Sequence, residues 1–167
     1  MALDELDVRI LEMLAENPKA SGVEAAAELG IARATYQARL DRLSARGIAS
    51  FEPQVDTTKV GYPVTAFISA EIRQSSRGHG VIDHLESIPE VTEVHTVTGS
   101  SDLLIRAVAR SNQHLQEVLD RLARHDDVLH TSTSIALANP IPRRSGSLAR
   151  RALEDALATA RDDEGDA

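Results

Sequence analysis

Between Ile31 and Gly47 lie four arginines, Arg33, Arg39, Arg42 and Arg46, and one acid, Asp41; this is a local charge of +3 in a chain of formal net charge −8. A guanidinium presents a planar fork of donors that matches phosphate oxygens and the edge of guanine. Thr35 and Gln37, interleaved with the arginines, carry the donors and acceptors that read base edges or backbone. Taken alone, the arginines read equally well as contacts to a polyanion and as a solvated helix face. The acidic remainder makes any attraction to phosphate local and strongly salt-dependent.

A second candidate is the run Gly99-Ser100-Ser101-Asp102. A glycine leaves neighbouring backbone N–H groups open to a carboxylate, and an aspartate accepts from an ammonium group, which together suit capture of an amino acid. The same residues make an equally good hairpin turn with Asp102 as its hydrogen-bonding residue. Catalytic constellations are thin. His79, His84, His95, His114, His125 and His130 are scattered. Spacings of five suit neither neighbouring helical positions nor a metal signature. His95 and His130 fall on expected strands, where ordinary sheet histidines are favoured over a metal pair. Thr96, Ser100, Ser101 and Thr131 have no base arranged to activate them, and Asp126-Asp127 and Asp162-Asp163 read as a turn and a tail. With no cysteine there is no disulfide or cysteine-based metal site. No enzyme, cofactor or metal is expected. Aromatic residues make up 2% of the chain, which argues against the stacking platform of a single-strand binder.

The arginines need an element to present them. Asp4–Glu16 is amphipathic, with Leu3, Leu6, Ile10, Met13 and Leu14 on one side, and Asn17-Pro18 stops it. Ser21 and Glu24 form a capping box ahead of Val23, Ala26, Ala27 and Leu29, and Gly30 ends that second helix with a tight turn. The third helix buries Ile31, Tyr36, Leu40 and Leu43 and stops at Gly47. Arg33, Ala34, Thr35, Gln37, Ala38, Arg39 and Arg42 are expected to face outward from it. Ala32 stands at its N-cap without a side-chain acceptor. Two short helices joined by a tight turn, the second basic, form a helix-turn-helix unit, which favours duplex DNA as the polyanion. Ile48–Val55 reads as an edge strand, completing a winged-helix arrangement.

The second half alternates strands and helices. Strands are expected at Val64–Arg73, Val91–Thr98, Asp102–Arg110 and Val128–Ala138, and helices over 78–88 and 112–124. This β-α-β-β-α-β order is the ferredoxin-like split pattern, an antiparallel sheet with both helices on one face. The other face carries Ile105 or Leu104, and Ile135 or Leu137, depending on strand phase. A half-covered apolar sheet calls for a partner, so dimerisation is expected.

The run LDELDVRILEMLAENPKAS followed by VEAAAELGIARATYQARLDRLSARGIAS resembles the N-terminal half of the Lrp/AsnC regulators, the leucine-responsive and asparagine-synthetase regulatory proteins. VHTVTGSSDLLIRAVARSNQHLQEVL resembles their effector-domain core, and the likeness runs from about Leu3 to Leu137. It implies a sequence-specific transcription regulator that binds double-stranded DNA and an amino-acid-like effector between subunits, and that assembles from dimers into tetramers or octamers. Gly99, Ser100, Ser101 and Asp102 match the family's Gly-Asp-aromatic-Asp turn, with serines replacing the first acid and the aromatic. Thr96, Asn112, Ser134, Ile135 and Ala136 match its effector-response positions.

The expected organisation is a helix-turn-helix domain over 1–50, an extended linker strand over 51–62, a ferredoxin-like effector and oligomerisation domain over 63–139, and a linker, short helix and acidic tail over 140–167. In the last part Ser147 caps a helix from Leu148 to about Ala160, with Arg150–Glu154 and Arg151–Asp155 as i,i+4 pairs. Its stripe of Leu153, Ala156, Leu157 and Ala160 is suited to a neighbouring subunit, and the final DDEGDA is expected to be disordered. No apolar run is long enough to span a membrane and the N-terminus lacks a basic leader, so the expected location is cytoplasmic. The runner-up function is a metabolite-sensing oligomer whose helix-turn-helix serves protein contacts, with an enzyme on the ferredoxin-like half a distant third.

Overall fold

The computed structural model describes residues 3–50, 55–73, 79–141 and 146–165. In chain order the elements are α1 (Glu5–Glu16), α2 (Gly22–Leu29), α3 (Arg33–Ala45), β1 (Val64–Ile72), α4 (His79–Glu86), β2 (Val91–Thr96), β3 (Leu103–Ala109), α5 (Asn112–Leu122), β4 (Val128–Ile135) and α6 (Gly146–Gly165). They form two compact units: one joins residues 1–53 to 141–167, and the other spans residues 54–140.

In the first unit each early helix starts where a side chain satisfies its orphan N–H groups. Asp4 and Asp7 form a reciprocal capping box for α1, and Ser21 and Glu24 form one for α2. Gly30 closes α2 at φ 69°, in the left-handed region, and its N–H and that of Ile31 return to the last carbonyls of the helix. Ala32 caps α3 through backbone geometry alone, with no side-chain hydrogen bond. Ile10, Met13, Ala25, Ala26, Leu29, Tyr36 and Leu43 form the core, with Leu6, Leu14, Ile31 and Leu40 packed around it.

Several expectations change here. The C-terminal helix runs through Gly165 rather than ending near Ala160 ahead of a disordered DDEGDA. It lies against α1 of its own chain, and Arg150 pairs with Glu5 and Glu12 instead of Glu154. The expected Arg151–Asp155 pair is present at 3.2 Å. Of the expected wing, residues 48–50 form no strand, and residues 51–54 lie outside the described residues. The later part of the expected linker strand is a set of turns: Asp56 accepts from the N–H groups of Thr58 and Lys59, and Gly61 takes φ 95°. An aspartate that bonds its own backbone two residues on competes successfully with extended structure.

The second unit is a four-stranded antiparallel sheet in the order β2-β3-β1-β4, the ferredoxin-like topology. Ala66, Ile68 and Ala70 of β1 and Leu103, Ile105 and Ala107 of β3 turn to the core, where Val81, Leu85 and Ile88 from the α4 region and Leu115, Val118 and Leu122 from α5 cover them. Opposed residues of an antiparallel pair point to the same side, so the register assigns the other face. Phe67 pairs with Arg106 and Ser134, Ser69 with Leu104 and Ser132, Glu71 with His130, and Leu104 with His95. The open face is therefore mixed rather than apolar, with Phe67 and Leu104 set among serines and charged residues. Ile105 is in the core, and Ile135, opposite Ala66, belongs to the helix-covered side.

Candidate functional site

The structure divides the arginine cluster. Arg33, Ala34, Thr35, Gln37 and Ala38 are all exposed on the first two turns of α3. Gln37 donates to Asp41 at 2.8 Å, one turn further along the helix. Arg39 and Arg42, expected to face outward, turn back to α1 instead. The Arg42 Nη2 donates to both carboxylate oxygens of Asp7, at 2.6 and 2.5 Å. Arg39 donates to Asp4 and, at 3.1 Å, to Asp7. Asp7 is completely buried, and a buried carboxylate requires paired donors. That requirement draws both guanidinium groups in. Burial pushes the Asp4 carboxyl up, but the hydrogen bonds from Arg39 and the Asp7 N–H, with the charges of both arginines, hold it below its usual value. The same pairing raises Arg39. The spacing Asp-x-x-Asp is a local signal for the cap alone, and nothing near it in the chain links it to arginines some 35 residues on.

The Gly99–Asp102 turn joins β2 to β3, with Gly99 at φ 123° and open space where a Cβ would stand. Asp102 ties the turn to β1: its N–H donates to Ala70 O at 3.0 Å and its Oδ2 accepts the Ile72 N–H at 2.8 Å. One carboxylate oxygen thus does the work of a turn residue. Thr96, opposite Leu103, stands at the same end of the sheet. The remaining candidates do not join them. Ser134 and Ile135 pair with Phe67 and Ala66, Ala136 donates to Thr65 O, and Asn112 opens α5 after the far end of β3. Four residues of β1 separate the two groups, about 13 Å of strand.

A cluster not anticipated from sequence lies near Asn112. Glu90 is 8% exposed, its Oε1 3.2 Å from His114 Nε2 and its Oε2 2.8 Å from an Arg121 nitrogen. His114 Nδ1 accepts the Arg110 N–H at 3.1 Å, which leaves Nε2 as the nitrogen that faces Glu90. Burial raises the Glu90 carboxyl, yet its own backbone N–H, Arg121 and His114 together hold it below its usual value. The Arg110 guanidinium lies 5.6 Å from the centre of the Tyr62 ring. Arg110, Ser111, Gln113, His114 and Glu117 line a groove of about 280 Å³. Among the described residues no group of three or more His, Asp or Glu side chains is placed to hold a metal ion.

A helix-turn-helix unit that exposes Arg33, Thr35 and Gln37, followed by a ferredoxin-like domain, fits a DNA-binding regulator with a separate ligand-binding domain. Comparison with known proteins agrees. Residues 3–44 match the AsnC-type helix-turn-helix domain, and residues 65–146 match the Lrp/AsnC ligand binding domain. The Escherichia coli regulatory protein AsnC is 32% identical over 143 residues, covering 84% of this chain and 94% of AsnC. The solved structure of E. coli AsnC superimposes with a TM-score of 0.78 at 30% identity, covering 87% of this chain and 99% of that one. A Neisseria meningitidis transcriptional regulator, solved as a complex with L-Met, gives a TM-score of 0.77 at 26% identity, covering 87% of this chain and 96% of its own. The chain belongs to the Lrp/AsnC family. It is a DNA-binding, metabolite-responsive transcription regulator and not an enzyme.

Proposed function

We propose that this regulator reads duplex DNA with the first two turns of α3 and senses an amino acid at the Gly99–Asp102 turn, working in the cytoplasm as a two-fold dimer or a larger assembly of dimers. The observation that carries the reading is the outward exposure of Arg33, Ala34, Thr35, Gln37 and Ala38 on a helix whose other two candidate arginines are engaged with α1. Arg33 contacts phosphate or guanine. Thr35 and Gln37 read base edges, and Ala34 and Ala38 allow close approach to thymine methyl groups. Arg39 and Arg42 act on DNA by holding the helix, not by touching it. Two such helices related by a dyad fit half-sites about 34 Å apart.

For the effector, the open backbone at Gly99, Ser100 and Ser101 donates to the carboxylate. The second oxygen of Asp102 accepts from the ammonium group while Oδ2 keeps the turn tied to β1. Thr96 belongs to the same end. Asn112, Ser134, Ile135 and Ala136 reach the effector only from a second subunit, because within one chain they stand at the opposite end of the sheet. The complex of the Neisseria relative with L-Met supports an amino acid as the chemical class. Differential affinity of the effector for two assemblies would shift the spacing of the paired α3 helices.

The test begins with selection of a duplex from a random pool by the full-length chain, with and without each amino acid of a panel. Arg33→Ala is expected to weaken binding to that duplex and to reduce the slope of log affinity against log salt by about 1 per helix, the value for one phosphate contact. Asp102→Asn keeps an oxygen for the Ile72 N–H and removes the charge. The variant should fold and bind DNA but lose the thermal shift produced by the amino acid. A panel that moves neither melting temperature nor assembly of the parent protein would falsify the sensor reading.

A further inference from the structure

α1 is buried on two opposed sides. Ile10 and Val8 are both completely buried, yet two residues on an α-helix project about 200° apart. Ile10 belongs to the three-helix core; Val8 does not. α6 packs on α1 and buries its own Leu153 to 6% exposure, and its Arg150 binds Glu5 and Glu12, the acids on either side of Val8, so α6 is the element placed to cover that face. One turn before Leu153, Arg150 forks onto Glu12 (Nε to Oε1 2.9 Å, Nη2 to Oε2 2.5 Å), and its Nη1 donates to Glu5 at 2.6 Å. Glu5 and Glu12 stand two turns apart on α1, with Val8 between them on the same face. The result is an apolar contact closed at both ends by one bidentate guanidinium clamp, the geometry in which arginine gives most specificity. Arg150 is raised and Glu12 lowered by this pairing. α6 begins where the match to the Lrp/AsnC ligand binding domain ends, so the clamp is a property of this chain beyond the two family domains.

Asp7 in the first turn of α1, with Asp4 at its N-cap, holds Arg39 and Arg42 of α3. Two sets of arginine–carboxylate pairs therefore join three helices in series, with α6 clamped to α1 and α1 clamped to α3. We propose that α6 is a brace for DNA reading, and that Arg150 is a positioning residue that sets the pose of α3 through α1. The physical basis is direct. Without Arg150, Glu5 and Glu12 lose their counter-charge. They then add to the negative field of Asp4 and Asp7 at the start of α1, close to a helix that must approach phosphate. Val8 at the same time loses the cover that keeps α1 seated. The inference rests on the reading of α3 as the DNA-contacting helix.

The test uses the full-length chain and the duplex selected by it. Arg150→Ala is expected to lower duplex affinity roughly fivefold or more, the usual scale of coupling between sites. The amide of Val8 should exchange faster while exchange in the β1–β3 pair stays unchanged. Arg150→Glu combined with Glu12→Arg and Glu5→Gln restores the pairing with its polarity reversed and leaves no acid facing the new carboxylate. It should recover Val8 protection and most of the affinity, a rescue that loss of folding cannot give. Unchanged affinity and unchanged Val8 exchange in Arg150→Ala overturn the brace. So does a loss of affinity with Val8 protection intact, or one that the charge swap leaves unrepaired. If the parent chain selects no duplex, the α3 reading fails instead, and the Val8 exchange still reports on the clamp.

Discussion

The residue that most changes the reading of this protein is Asp7. It sits at N3 of α1, completely buried, and accepts from Arg39 and Arg42 while its backbone completes a capping box. Replacing it by asparagine keeps the shape and removes the charge. The expected cost is about 2 kcal/mol, from weakened charge-assisted hydrogen bonds and an incompletely paired guanidinium, read as a shift of the urea midpoint. Arg33→Ala, which touches no acid among the described residues, should leave that midpoint in place. Acid sensitivity follows from groups of the same kind. Asp4 and Glu90 have carboxyls held below their ordinary values of 3.8 and 4.5. A carboxyl depressed in the folded state stabilises fully above its unfolded value and loses that contribution as pH falls through the folded one. Stability should therefore decline on acidification below about pH 4.5, and Glu90→Gln should flatten part of that decline in urea titrations taken across the acid range.

Among the elements, α3 has a local defect that can be repaired. Ala32 has the extended backbone of an N-cap, φ −68° and ψ 143°, and no side chain to use it. Ala32→Ser should raise the stability of the first unit by about 1 kcal/mol, seen as a higher unfolding midpoint. The effect on duplex affinity tests whether fraying of the first α3 turn matters to reading. Gly30→Ala works in the other direction. Open space surrounds the site, so the cost of about 1 kcal/mol arises from φ 69° alone. The helices and strands themselves were legible because each carries its own period, caps and stops. The linker strand was misread because Asp56 and Gly61 impose turns that hydrophobic patterning does not register. The partner of α6 was also misread: its stripe of Leu153, Ala156 and Leu157 announces a contact, but a stripe does not name what it packs against.

At the scale of the molecule, the proposed dimer needs a face on which to pair. The open sheet face presents Phe67, 41% exposed, beside Leu104 among polar neighbours, which suits a selective pairing surface better than an indiscriminate apolar one. Phe67→Asp is expected to shift the protein to monomer in sedimentation. It should also weaken binding to a two-half-site duplex far more than to a single half-site, since pairing supplies the second helix. The sequence by itself determined the family, the order of helix-turn-helix and ligand-binding domains, and the topology of the sheet. Those follow from periodicity, capping residues and turn chemistry, all of them interactions among near neighbours. Only the tertiary structure decided which arginines face outward, which oxygen of Asp102 is already engaged, and that the two groups of effector candidates stand apart. The physical reason is that a buried charge takes its partner from wherever the fold brings one. For Asp7 that partner was the pair of arginines that, read along the chain, had seemed free for DNA.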